Sequence, residues 1–141
     1  MRRFALLFAV LFVLPVLGSD SPKEYDDKMG YVGIEGTWRQ IEIDYHGKTS
    51  NPTSEVSLTF RSGTFVFNLS DGNGLQGNFR IDPTRKPPHL DYMPNGSLTG
   101  QTLMHIYQID SNTLRIAYLD IAFRPQEFTQ VDIVETYKRV K

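Results

Sequence analysis

The sequence predicts an all-β domain, an eight-stranded antiparallel up-and-down barrel, and three observations carry that prediction. From Trp38 onward, short runs alternate apolar and polar side chains with period two, as in Val56-Ser57-Leu58-Thr59-Phe60-Arg61. Many of the breaks between runs are turn pairs such as Ser62-Gly63 and Ser111-Asn112. No stretch between them carries the 3.6-residue apolar period of an amphipathic helix. A meander of hairpins escapes exposed edges by closing on itself, and eight strands enclose an interior either filled by side chains or able to hold one small ligand. A flat sandwich is the competing architecture, and the consecutive hairpins favour the barrel.

The chain has 141 residues, the length of a single domain. Arg2 and Arg3 precede an apolar run from Phe4 to Leu17, and Val16-Leu17-Gly18 supplies residues that a signal peptidase tolerates. Residues 1–18 therefore read as a signal peptide. The apolar run falls short of the roughly 20 residues that a membrane-spanning helix needs, so no membrane span is expected after cleavage. Export to the periplasm or beyond the cell follows. Setting aside Arg2 and Arg3 from the 15 Lys and Arg leaves 13 against 16 Asp and Glu, a net charge of about −3 without a basic cluster, which argues against nucleic acid as a partner. The chain has no cysteine, so an exported domain here must rest on its core, and about 120 residues bury roughly two thirds of their unfolded surface.

Residues 19–33 are polar and lack periodicity, as a flexible lead does, and residues 34–141 form the barrel. The first strand runs over Thr37 to Tyr45. There Trp38 is out of phase with Ile41 and Ile43, which requires either a bulge near Arg39 or a separate layer for Trp38. His46-Gly47 turns the chain, and Asn51-Pro52 sits in a loop. Val56 to Arg61 and Phe65 to Leu69 form a hairpin around Ser62-Gly63, and Asp71-Gly72-Asn73-Gly74 turns into the fourth strand, Leu75 to Ile81. Within it Gly77 marks tight curvature or a close contact.

Three prolines make Asp82 to Pro88 a rigid connection. His89 to Met93 is the fifth strand, with Leu90 and Tyr92 on one face. Gln101 to Ile109 is the sixth, and both of its faces are partly apolar, so the period does not choose between them. Leu114 to Tyr118 is the seventh, Asp120 to Gln130 a loop, and Val131 to Val140 the eighth.

Gly36-Thr37-Trp38 at the head of the first strand resembles the G-x-W signature of lipocalins and other calycins. The resemblance implies a lipocalin-like barrel in which Gly36 and Trp38 close one end and an arginine of the last strand packs on the indole. Arg139 is the matching residue, with Lys138 as fallback. The order GTWRQIEIDYHGK, VSLTFRSGTFVF, NFRIDPTRKPPHLDY, IYQIDSNTLRIAY, RPQEFT and YKRV further resembles a small exported family of planctomycete bacteria whose role is unassigned, with Ile81-Asp82-Pro83-Thr84-Arg85-Lys86-Pro87 as its most specific piece. A shorter link after Phe128-Thr129 departs from that pattern and leaves the final hairpin open.

Candidate sites are few. His46, His89 and His105 show no metal-ligand spacing, so no metal and no cofactor are expected. Asp82, Asp91 and Glu127 could form an acid–base pair, but loop capping explains them better, and no G-x-S-x-G supports a nucleophilic serine. Asp82, Arg85 and Lys86 fit a capped crossover better than a charged recognition loop. The expected function is thus not enzymatic. Phe67, Phe79, Tyr92, His105, Tyr107 and Tyr118 are the candidate ligand-binding residues of the interior, joined by Arg80 or Arg115 to suit a small hydrophobic or amphipathic ligand. The alternative is a packed scaffold whose loops 46–54, 82–88 and 120–130 engage an extracytoplasmic protein.

Overall fold

A computed structural model describes residues 33–120 and 122–140 of the chain. The expected signal peptide at 1–18, and all but Gly33 of the expected lead at 19–33, lie outside the described residues. The alternating runs form nine strands: β1 (Gly36–Tyr45), β2 (Lys48–Ser50), β3 (Val56–Arg61), β4 (Thr64–Leu69), β5 (Gly74–Asp82), β6 (His89–Pro94), β7 (Leu103–Asp110), β8 (Thr113–Tyr118) and β9 (Ile133–Arg139). Every pairing is antiparallel, neighbours from β3 to β9 follow chain order, and β9 returns to β1. The sheet is therefore a closed barrel of eight strands, an arrangement consistent with a lipocalin-like barrel. The ninth, β2, is a three-residue flap on Ile43–Tyr45 of β1. Its exposed Lys-Thr-Ser carries no alternation, so the sequence had no signal for it.

Local chemistry sets the corners. His46 and Gly47, with φ of 51° and 83°, and Ser62 and Gly63, with 50° and 78°, both place two consecutive residues in the left-handed region. That turn twists with its flanking strands and holds the hairpin register. On β5, a side chain at Gly77 would collide with the backbone carbonyl of Met93 on β6. Gly77 thus marks a close contact between strands.

The phase slip in β1 is a bulge, placed slightly later than the sequence suggested: Gln40 pairs with Tyr137 and Glu42 with Thr136, leaving Ile41 as the extra residue. Trp38 is fully buried in the main interior cluster beside Ile34, Leu58 and Phe60, so it is not a separate layer. The bulge lets one strand point Trp38 and Gln40 inward at one end and Ile43, opposite Glu135, inward at the other.

Both faces of β7 are covered. Tyr107 joins the interior cluster with Leu103 and Ile109 packed against it, whereas Ile106 lies in line with Ala117 and Val134 on the outer surface. The connection from β8 to β9 folds back over that outer patch and seats Phe128 and Val131 on it. Arg115 reaches over the Phe128 ring at 4.9 Å. Arg124 fixes the same connection to the barrel wall, donating to Asp91 Oδ1 at 2.6 Å and to the His105 carbonyl at 2.9 Å. Arg80 takes the other Asp91 oxygen at 3.0 Å. Asp91 is buried, and this double guanidinium pairing offsets the cost of desolvating its charge.

Candidate functional site

The two ends of the barrel interior differ. At one end Trp38 donates from Nε1 to the Ile34 carbonyl at 2.8 Å, and the Arg139 guanidinium stacks 4.1 Å from the indole centroid. Arg139 also donates to the carbonyls of Glu35 at 2.7 Å and Gly33 at 2.8 Å. Gly36 has φ of 123°, and a Cβ there would lie 3.0 Å from Arg139 Nη1, so both backbone and space call for glycine. Gly36, Trp38 and Arg139 thus form one interlocked end wall.

At the other end a cavity of about 500 Å³ opens to the surface. Leu58, Phe65, Phe67, Leu75 and Leu103 supply apolar walls, and Leu119, Asp120 and Ala122 of the β8–β9 connection contribute to its lining. Of the residues expected in a ligand site, Phe67, Tyr92, His105 and Tyr118 line the cavity. Phe79 and Tyr107 do not; they belong to the packed core nearer the closed end. Phe79 is held there by its edge contact with Phe60, which pairs with Gly36, and Tyr107 sits one inward position further along β7 than His105. Arg80 and Arg115 are outside the barrel, because their positions on β5 and β8 have the parity of Asp91 and Ala117 rather than of the interior residues.

Sequence reasoning missed the polar centre of the cavity. Glu135 on β9 accepts from Tyr137 Oη at 2.7 Å and from Tyr118 Oη at 3.3 Å, one phenol on each carboxylate oxygen. Gln40 donates its amide to Tyr137 Oη at 3.2 Å. Glu135 lines the cavity and is otherwise largely enclosed, and this desolvation raises its pKa from the ordinary carboxylate value, partly countered by the hydrogen bonds from Tyr137, Tyr118 and Gln40. Burial, followed by the nearby Glu135 charge, also raises the Tyr118 and Tyr137 hydroxyls, so both stay neutral donors. The signal was available: the parity that turns Arg139 inward turns Glu135 and Tyr137 inward as well, and Gln40 shares the parity of Trp38.

His105 packs edge-on between Tyr92 and Tyr118, with ring centroids 4.9 Å from each. Burial pushes its pKa down to about 4, so the imidazole is neutral near pH 7. Its Nδ1 lies 3.0 Å from the Leu103 carbonyl, which only accepts, so Nδ1 carries the proton and Nε2 is left as an acceptor.

Of the remaining candidates, Asp82, Arg85, Glu127 and His46 have structural partners. Asp82 Oδ1 accepts from the Thr84 amide at 3.0 Å and Oδ2 from Arg85 at 3.2 Å, a capped crossover. Glu127 accepts from the Thr129 hydroxyl at 3.2 Å. His46, Asp120 and Asp132 are the group among the described residues whose ligand atoms come within 4.8 Å of one another. They tie the β1–β2 turn to the β8–β9 connection: Asp132 Oδ2 accepts from the Asp120 amide at 2.7 Å, and the His46 ring nitrogens lie 3.9 Å from Asp120 and 3.6 Å from Asp132.

No family model, curated protein or solved structure matches this chain.

Proposed function

We propose that this protein is a non-enzymatic, exported barrel that takes a small apolar or amphipathic molecule into its open end. The observation that carries this reading is the cavity of about 500 Å³, apolar on its walls with a few convergent polar groups at Glu135, Tyr118 and His105. Ligand pockets commonly enclose roughly 300 to 1,000 Å³ with that division of lining. Export rests on Arg2-Arg3 and the apolar run behind them, and kinship to the planctomycete lipocalin-like family rests on the Gly36-Thr37-Trp38 and Ile81 to Pro87 pieces. The reading favours a cargo or sensing role over a packed scaffold, because space is left where a scaffold would be filled.

The test is uptake of prodan, a neutral dye whose emission shifts in apolar surroundings, by the purified protein. Saturable binding is expected, and Leu103→Trp, which fills the cavity from β7, should abolish it while the β-sheet circular dichroism stays unchanged. Equal binding by a folded Leu103→Trp protein would move the dye, and the proposal, away from this cavity.

A further inference from the structure

The charges that face the cavity are unbalanced. Among the described residues, two carboxylates, Glu135 and Asp120, line it, and no lysine or arginine does. Asp120 is exposed and already engaged with Tyr45 and His46. Glu135 has no ion-pair partner among the described residues; its oxygens meet only neutral groups, the Tyr118 and Tyr137 phenols and the Gln40 amide. His105, the one basic residue among the described residues of the lining, is neutral near pH 7.

Asp91 supplies an internal contrast. It is a buried carboxylate on the outer face of the same barrel, and two guanidiniums compensate it, at 3.0 and 2.6 Å. Buried charges in folded proteins are normally paired in this way. Glu135 lacks the pairing, and it lacks it where the barrel is open. Around it stand Tyr92, Tyr118 and Tyr137, whose electron-rich faces attract cations as well as apolar groups. An anionic head group would meet the Glu135 charge without a counter-ion, and a neutral one would leave that charge uncompensated.

From this arrangement we infer that the ligand is a small organic amine carried as its ammonium ion, with the nitrogen donating to Glu135 between Tyr92 and Tyr118 and the hydrocarbon part against Phe65, Phe67 and Leu103. The ligand then supplies the counter-charge that the fold omits. Tyr118 and Tyr137 hold the carboxylate in place, and the His105 Nε2 offers a second acceptor on the same wall. This rests on the cavity being the binding site, as proposed above.

The experiment compares four probes of one chain length, decylammonium, decyltrimethylammonium, decanol and decanoate, by calorimetric titration of the purified protein near neutral pH and in competition with prodan. Decylammonium should bind roughly tenfold or more tighter than decanol, in keeping with an ion pair formed in a desolvated site, and decanoate weakest of the four. Glu135→Gln should bring decylammonium down to the level of decanol. Because the four-probe series uses the unaltered protein, it decides the matter even if that variant fails to fold. Decanol or decanoate binding as tightly as decylammonium would overturn the amine assignment and leave the ligand-binding reading standing. Failure of all four, together with failure of prodan, would remove both.

Discussion

The closed and open ends of the barrel solve opposite problems with similar residue types. At the closed end a cation, Arg139, meets among the described residues only neutral partners, yet these are backbone carbonyls and an indole face fixed by the chain itself. At the open end an anion, Glu135, also meets only neutral partners among the described residues, but it lines a cavity. The first arrangement is complete without anything added. The second, on the ligand-binding reading proposed above, would be completed by a cation entering the cavity. On that reading the contrast separates a structural constellation from a functional one better than residue type does, since aromatics and charges occur at both ends.

The largest effect that tests this contrast is at Trp38. Trp38→Ala removes a fully buried indole and its hydrogen bond to Ile34, and leaves Arg139 without the ring on which it stacks. A loss of about 3 to 5 kcal/mol in unfolding free energy is expected from denaturant titration. The protein that remains folded should bind prodan as the parent does. Loss of dye binding in a folded Trp38→Ala protein would mean that the two ends are not independent.

A smaller effect belongs to the open end and depends on pH. His105 is held neutral in the fold with a pKa of about 4, against about 6.5 when unfolded. Its contribution is present in full above pH 6.5 and is lost as pH falls toward 4, because the unfolded chain takes up the proton first. The whole window corresponds to about 3 kcal/mol at most. Carboxylates titrate nearby, so the measurement is a difference: stability against pH for the parent minus that for His105→Gln. A flat difference between pH 6.5 and 4 would show that the imidazole is solvated and not packed between Tyr92 and Tyr118.

How much of this was legible in the sequence follows from which forces are local. Strand alternation and turn chemistry are local, so eight barrel strands and their hairpins could be read directly, and the clash of phase between Trp38 and the isoleucines at 41 and 43 left a bulge near Arg39 or a separate layer as its two readings, of which the bulge, at Ile41, is the one found. Cover is not local. Nothing in Asp120 to Gln130 shows that Arg124 reaches back to Asp91 or that Phe128 lands on Ile106 and Ala117, and that is why β7 has two apolar faces. The cavity was half legible for the same reason. Aromatic residues on inward parity were identified, but how far Phe79 and Tyr107 lie from the opening depends on strand stagger, which alternation does not reveal. Glu135 was passed over because a charge in a strand ordinarily marks the solvent side; its parity said otherwise.

The smallest expected effect bears most directly on the contrast. If Glu135 is an unpaired charge kept for a ligand, the ligand-free protein is destabilised by it. Its raised pKa means that the folded state favours the protonated form more than the unfolded chain does. The cost is therefore absent below the unfolded carboxylate pKa of about 4.3 and grows as pH rises through the folded value. Glu135→Gln keeps an oxygen to accept from one phenol and removes the charge, so it should raise stability by about 1 kcal/mol near neutral pH, a gain that disappears in acid. The reverse result, a less stable Glu135→Gln at neutral pH, would show that the hydrogen bonds from Tyr118 and Tyr137 to a charged acceptor outweigh its desolvation. Glu135 would then be a finished structural constellation like Arg139, and the distinction between the two ends would rest on the cavity alone.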